Sequence, residues 1–173
     1  MKLLTALFVF SGLLLQAQTL THDEVREMYF EGWEGQCGAT ELHEKLTNYE
    51  MNDDLVLLAY KGAVMTTVAN CKNTPFSKLS MFNKGKDLLE SALNASPENI
   101  EIRFLRYTVQ TNIPDILKYD NMEADKQFLL ESLTLHQHSV DDRLEIRIAS
   151  YLMEHGKLSD AEKSKIQLIL AEG

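Results

Sequence analysis

The chain has 173 residues, 45% of them apolar and 25% charged, with 17 Lys+Arg against 26 Asp+Glu and a formal net charge of −9. Ordinary apolar and charged fractions exclude wholesale disorder, and eight Gly and three Pro exclude collagen-like or proline-rich character. An acidic excess of this size argues against nucleic acid as a partner, because a phosphate backbone needs a clustered basic face.

The chain opens with Met1-Lys2, an apolar run from Leu3 to Leu15, and Gln16-Ala17-Gln18. One basic residue, about a dozen apolar ones and a small residue make the layout of a secretory signal peptide. The run is short for a span, which needs ~20 residues. Cleavage after Ala17 makes 1–17 the leader and 18–173 a single helical domain, although Leu15 occupies a position where a small residue is usual. The alternative is an uncleaved N-terminal anchor. Losing Lys2 takes the mature charge from −9 to −10. The expected destination is a periplasm or the medium, with no membrane span left after cleavage and a monomer as the expected state.

From Thr21 onward the apolar residues recur with a period of 3.6, and no stretch alternates cleanly. Thr21-His-Asp-Glu24 reads as a capping box opening one long helix through Leu46, with Val25, Met28, Tyr29, Ala39 and Leu42 near one face. A second helix carries Leu55, Leu58, Ala59, Gly62 and Ala63, small residues that let a neighbour approach closely. Thr74-Pro75 starts a third, with Phe82, Gly85, Leu89 and Ala92 inward. Ser96-Pro97 is expected to open a fourth and Asn112-Ile113-Pro114 to close it. Asp120 caps a fifth holding Met122, Leu129 and Leu133. Ser139 caps a sixth with Leu144, Ile148, Tyr151 and Leu152 buried and Gly156 as its C′ residue, and Ser159-Asp-Ala-Glu162 opens the last, with Ile166, Ile169 and Leu170. The longest connection, 112–120, holds three apolar residues and is expected to pack on the bundle. About seven helices in antiparallel hairpins make an all-α fold.

Cys37 and Cys71 are the only cysteines, so this is no disulfide-built scaffold. An oxidising compartment permits one bridge. If the first two helices form a hairpin turning near Tyr49, the two cysteines lie about 13 Å apart along the helices, beyond bridging distance. A break at Gly35 or Gly38 would undo that geometry.

Gly85-x3-Leu89-x2-Ala92-x4-Pro97 resembles the second helix and terminal proline of a tetratricopeptide repeat, with Gly for the usual Ala and Leu for the usual aromatic residue. The likeness covers about a dozen residues. Lys61-Gly62-x2-Met65 upstream and Arg106-Tyr107 downstream are degenerate versions of the repeat's Leu-Gly element, and Asp141 to Glu172 has the size of one more hairpin. The resemblance implies helical hairpins stacked as a right-handed solenoid or bundle without regular repeats. The chain is also similar to uncharacterised secreted helical proteins with a Tyr-Lys-Gly-Ala stretch (Tyr60 to Ala63) and a Glu-Ile-Arg-Phe-Leu-Arg stretch (Glu101 to Arg106), which implies no activity.

The sequence contains no hydrolase nucleophile elbow, zinc-protease motif, phosphate-binding loop or dinucleotide fingerprint. Cys37 and His43 fall on different faces of a helix and make a poor nucleophile pair. His136-x-His138 is an incomplete metal site, and Asp141 and Asp142 have a sufficient role at a helix start. His22, His43 and His155 read as surface or helix-end residues. Tyr29, Phe30 and Trp33 read as core, or as a partner-facing patch. No cofactor and no catalytic residue is expected.

One strip stands out. On the fourth helix Arg103, Arg106 and Gln110 fall within about 60° of one another. Ile102, Leu105 and Val109 flank them on one side; Ile100, Phe104 and Tyr107 flank them on the other. The opposite strip, Glu101, Thr108 and Asn112, reads as ordinary solvent groups. Arginine presents a planar donor fork suited to a carboxylate. That carboxylate is either internal, with Asp125 or Glu123 as candidates, or belongs to a partner lying in a groove. Two functions remain open: a non-catalytic module that binds an envelope protein or peptide, or a small-ligand protein or enzyme with a site between helices.

Overall fold

A computed structural model describes residues 20–31, 37–48, 54–117, 119, 121–135 and 141–172. Its helices are α1 (His22–Glu31), α2 (Thr40–Asn48), α3 (Leu55–Val68), α4 (Pro75–Ala95), α5 (Ile100–Thr111), α6 (Met122–Leu135), α7 (Asp142–His155) and α8 (Asp160–Glu172), and the described residues include no strand. The fold is all-α. The leader lies outside the described residues, as do Trp33, Asp120, His136, His138 and Ser139. None of the described helices is long and apolar enough to cross a membrane.

Most of the predicted caps form. The Thr21 hydroxyl accepts from the Glu24 amide while Glu24 accepts from the Thr21 amide, and Ser159 and Glu162 do the same. Thr74 and Ser77 make the reciprocal pair at the start of α4, with Pro75 at its first position. Three boundaries differ. Ser96 ends α4 by donating its amide to the Ala92 carbonyl, and Asn99 caps α5 by accepting from the Ile102 amide. Asp141 caps α7 by accepting from the Leu144 amide. Gly156 ends α7 with φ −73°, and the left-handed residue is Lys157, at φ 47°.

The long first helix of the sequence reading is two helices, giving eight instead of seven. The chain turns at residues 37–39, where Thr40 donates both amide and hydroxyl to the Cys37 carbonyl. That turn overturns the geometric argument against a bridge. A 3-10 turn, Ala69–Cys71, follows α3, and Cys37 and Cys71 are disulfide-bonded with Cα atoms 5.8 Å apart. The unbridged expectation assumed one continuous helical rod through Cys37.

Central in the packing is α5, which touches α3, α4, α6 and α7. Ile100, Ile102, Phe104, Leu105, Tyr107 and Val109 are all buried. Glu101 and Thr108 are buried too, so two of the three residues of the strip read as solvent-facing are inside, while Asn112 is exposed. Asn112, at its end, donates to the Tyr151 hydroxyl at 2.8 Å. The closest helix crossing is α3 against α4. A Cβ placed on Gly62 would lie 2.6 Å from the Gly85 carbonyl oxygen, and one on Gly85 would lie 2.5 Å from that of Gly62. These two glycines let the backbones touch. Tyr29 and Phe30 belong to the core, edge to face with each other, and Phe30 stacks on Phe104. In the 112–120 connection Tyr119 is buried, whereas Ile116 is exposed.

Candidate functional site

The arginine strip of α5 meets an internal carboxylate. Asp125, on the first turns of α6, is fully buried and takes two hydrogen bonds of 2.7 Å from Arg106, through Nε and Nη2. Arg106 Nη1 donates to both oxygens of Glu90 on α4. Arg103 reaches the same Asp125 at 3.1 Å, donates through Nε to the Pro97 carbonyl, and lies over the Phe128 ring. The Tyr119 hydroxyl donates to Glu90, and Lys86 sits over the Tyr119 ring. Burial opposes the charge on Arg106, but Asp125 and then Glu90 outweigh it and raise the guanidinium's pKa. Of the two acids named from sequence, Asp125 is the partner; Glu123 is engaged by Lys126 and Gln127 instead. Gln110, the third member of the strip, is buried with neither amide atom hydrogen-bonded.

A second arginine network has no counterpart in the sequence reading. Arg26, on α1, is buried and forms a two-pronged pair with Glu101 on α5, Nε to Oε1 at 3.0 Å and Nη2 to Oε2 at 3.1 Å. Its Nη1 donates to Asp23 and to Asp141, the cap of α7. Tyr60 of α3 donates its hydroxyl to Glu101 at 2.7 Å. Burial, then Glu101, pushes the Tyr60 hydroxyl well above the ordinary tyrosine range. Arg26 itself is desolvated, yet Glu101, Tyr60 and Asp141 together raise its pKa. The only sequence signal was a basic residue inside an acidic helix start, which is what a solvated first turn also looks like.

Above this network lies a recess of about 510 Å³, lined among others by His22, Arg26, Asn99, Glu101 and Asp141. The N-terminal ends of α1, α3, α5 and α7 all contribute to its wall. His22 holds Asp54, the cap of α3, at 2.8 Å. Burial would raise the Asp54 pKa, but the Leu57 amide, His22 and the Val56 amide bring it below the ordinary value. A second recess, about 500 Å³, runs between α1 and α7 and is lined by Phe30, Arg143, Ile146, Arg147, Ser150, Tyr151 and Glu154. Its arginines are tethered, Arg147 to Glu27 and Arg143 to Asp23, and Arg147 also covers the Phe30 ring. Both recesses open broadly to solvent. Neither contains Arg103, Arg106 or Gln110.

Among the described residues no group of three or more His, Cys, Asp or Glu is placed to hold a metal ion. Cys37 is bridged and so offers no thiolate to His43. His43 is partly buried, and its pKa is lowered by burial and then by Lys72 and Lys61. His155 packs on the Tyr151 ring. No protein-family model, curated protein or solved structure matches this chain.

Proposed function

We propose that this chain is an exported, non-catalytic helical-hairpin protein that holds a protein or peptide partner. The observation that carries this reading is the open recess between α1 and α7, with an apolar floor of Phe30, Ile146 and Tyr151 and a charged rim. An open trough suits an extended segment, whereas a small ligand is usually enclosed on most sides. Export rests on the Lys2 and Leu3–Leu15 leader. The tetratricopeptide-like reading rests on Gly85 to Pro97, and the packing of α3 on α1 and α5 and of α5 on α7 supports it.

A photo-crosslinking residue at Ser150, which is exposed, tests the reading in the producing cell. One discrete adduct is expected, lost on Ile146→Glu without a change in melting temperature. If Ser150 yields no adduct, the α7 trough is not the binding surface. Arg103 is the member of the α5 strip with most contact with solvent. Partner loss in Arg103→Ala at unchanged stability would instead place the groove on that side of α5.

A further inference from the structure

The positive charge of this acidic chain is unevenly used. Each of its five arginines makes an ion pair within the chain: Arg26, Arg103, Arg106, Arg143 and Arg147. Residues 55–86, which make up α3, the 3-10 turn and the first half of α4, behave differently. They contain Lys61, Lys72, Lys78, Lys84 and Lys86 and no Asp or Glu. Subtracting those five lysines leaves 12 basic against 26 acidic residues elsewhere, a balance of −14. Among the described residues, Lys72, Lys78 and Lys84 have no ion-pair partner.

The same end of the molecule shows apolar side chains to solvent. Phe76 is 83% exposed and Leu79 47%. Along α4 the buried residues Phe82, Gly85, Leu89, Ala92 and Leu93 define the inward face. At 100° per residue, Phe76, Leu79 and Asn83 lie together on the outward one, with Lys84 and Lys86 on its two flanks; Lys78, in the first turn, is exposed but about 100° round from Leu79. Asp87, one turn beyond Asn83, ends the patch. Neither recess described above includes a residue of α4.

We propose that this first half of α4 is a docking surface for an anionic lipid bilayer. Two bulky apolar side chains on an exposed helical turn lie in neither recess, and a bilayer interface accepts them without needing a matched shape. Unpaired lysines around them complement anionic headgroups, each adding attraction close to the surface that falls away within a Debye length. The screening that limits this attraction also limits repulsion from the acidic remainder of the chain, which includes the Arg26 end. Peripheral, reversible attachment is the consequence, as expected for a shallow apolar contact helped by charge.

The test is co-sedimentation of the full chain, purified as the producing cell delivers it, with vesicles of phosphatidylcholine alone or with phosphatidylglycerol added. Any contribution of Leu3–Leu15 is common to all variants. Binding is expected to the phosphatidylglycerol vesicles and to weaken sharply at high salt. Phe76→Glu with Leu79→Glu should weaken it about tenfold or more, and Lys78→Glu with Lys84→Glu several-fold, at unchanged melting temperatures because all four residues are exposed. Equal binding to the two vesicle types, or binding indifferent to these variants, would overturn the proposal. So would failure to bind phosphatidylglycerol vesicles while a crosslinker at Phe76 captures an acidic protein in the cell.

Discussion

The two arginine networks use the same bond to different ends. Around Asp125, two arginines face two carboxylates, Asp125 and Glu90, so charge is balanced, and the partners lie only 16 to 22 residues apart. Around Arg26, one buried arginine faces three carboxylates, Glu101, Asp23 and Asp141, the last of them 115 residues away, and only Asp23 has a second arginine, the exposed Arg143. The first network is closed over a fully buried acid and ties neighbouring hairpins, α4–α5 to α6. The second opens into a recess and ties the start of the described chain to α5 and α7. Local, neutral pairing is what sequence spacing can reveal. Long-range, unbalanced pairing is a property of the assembled fold.

Asp125→Ala should be the most damaging single change, costing about 3–5 kcal/mol in urea melts, because it leaves Arg106 buried beside one remaining acid. A cost below that of an exposed pair would show that the buried network is solvated, and the contrast would fail. Reducing the Cys37–Cys71 bridge, which closes a separation of 34 residues, should cost about 4 kcal/mol. That bridge restrains the turn after α1, which carries Arg26, and does not touch α6. The penalty of an Arg26 substitution should therefore grow in the reduced protein while that of Asp125→Ala stays constant.

Arg26→Met comes next, at about 2–3 kcal/mol, because Asp23 and Asp141 can turn to water and only Glu101 stays buried without its cation, held by the Tyr60 hydroxyl. A tyrosine also reports on each network, Tyr60 on Glu101 and Tyr119 on Glu90. Both hydroxyls are raised above the ordinary value of 10.0 by burial and then by their carboxylate, and Tyr107 is pushed up to about 12. A folded pKa above the unfolded one gives stability that is complete below pH 10 and lost as pH rises through the folded value. Alkaline unfolding above pH 10 should thus coincide with the late phenolate absorbance. Phenolate signal from Tyr60 or Tyr119 in protein that is still folded would show its network to be open to water. The smallest effect belongs to the rim: Asp23 and Arg143 are both mostly exposed, so Arg143→Ala should change stability by about 0.5 kcal/mol or less.

The elements were legible where capping and period coincide, as at Thr74-Pro75, Ser159 and the α7 stripe. They were misread where two cues competed. Ser96-Pro97 carries a start signal, but the chain needed three more residues of turn before Asn99 could cap α5. Cys37 falls within one continuous helix in the sequence reading, whereas the chain turns at residues 37–39, between α1 and α2. Within the strip, Asp125 could be named because it lies about one hairpin away. Glu101 was read as solvent-facing because its own helix offers it no cation; its partner, Arg26, stands 75 residues earlier. A hydrophilic residue amid apolar neighbours on α5 was the available signal, and it did not say which distant cation would answer it.

The crossing of Gly62 on Gly85 also bears on the order in which the protein assembles. The two positions are 23 residues apart in sequence and join helices linked by a short turn, so the loop-closure entropy of bringing them together is small. Backbone contact at that point requires both helices to be formed, which makes the α3–α4 pair the natural first cooperative unit of folding. Its amides should be the slowest to exchange with deuterium, and those of α8, which packs on α6 and α7 at the end of the described chain, among the fastest. Growth then runs outward from the middle of the chain toward both ends, and the contacts that close over Arg26 are among the last to form.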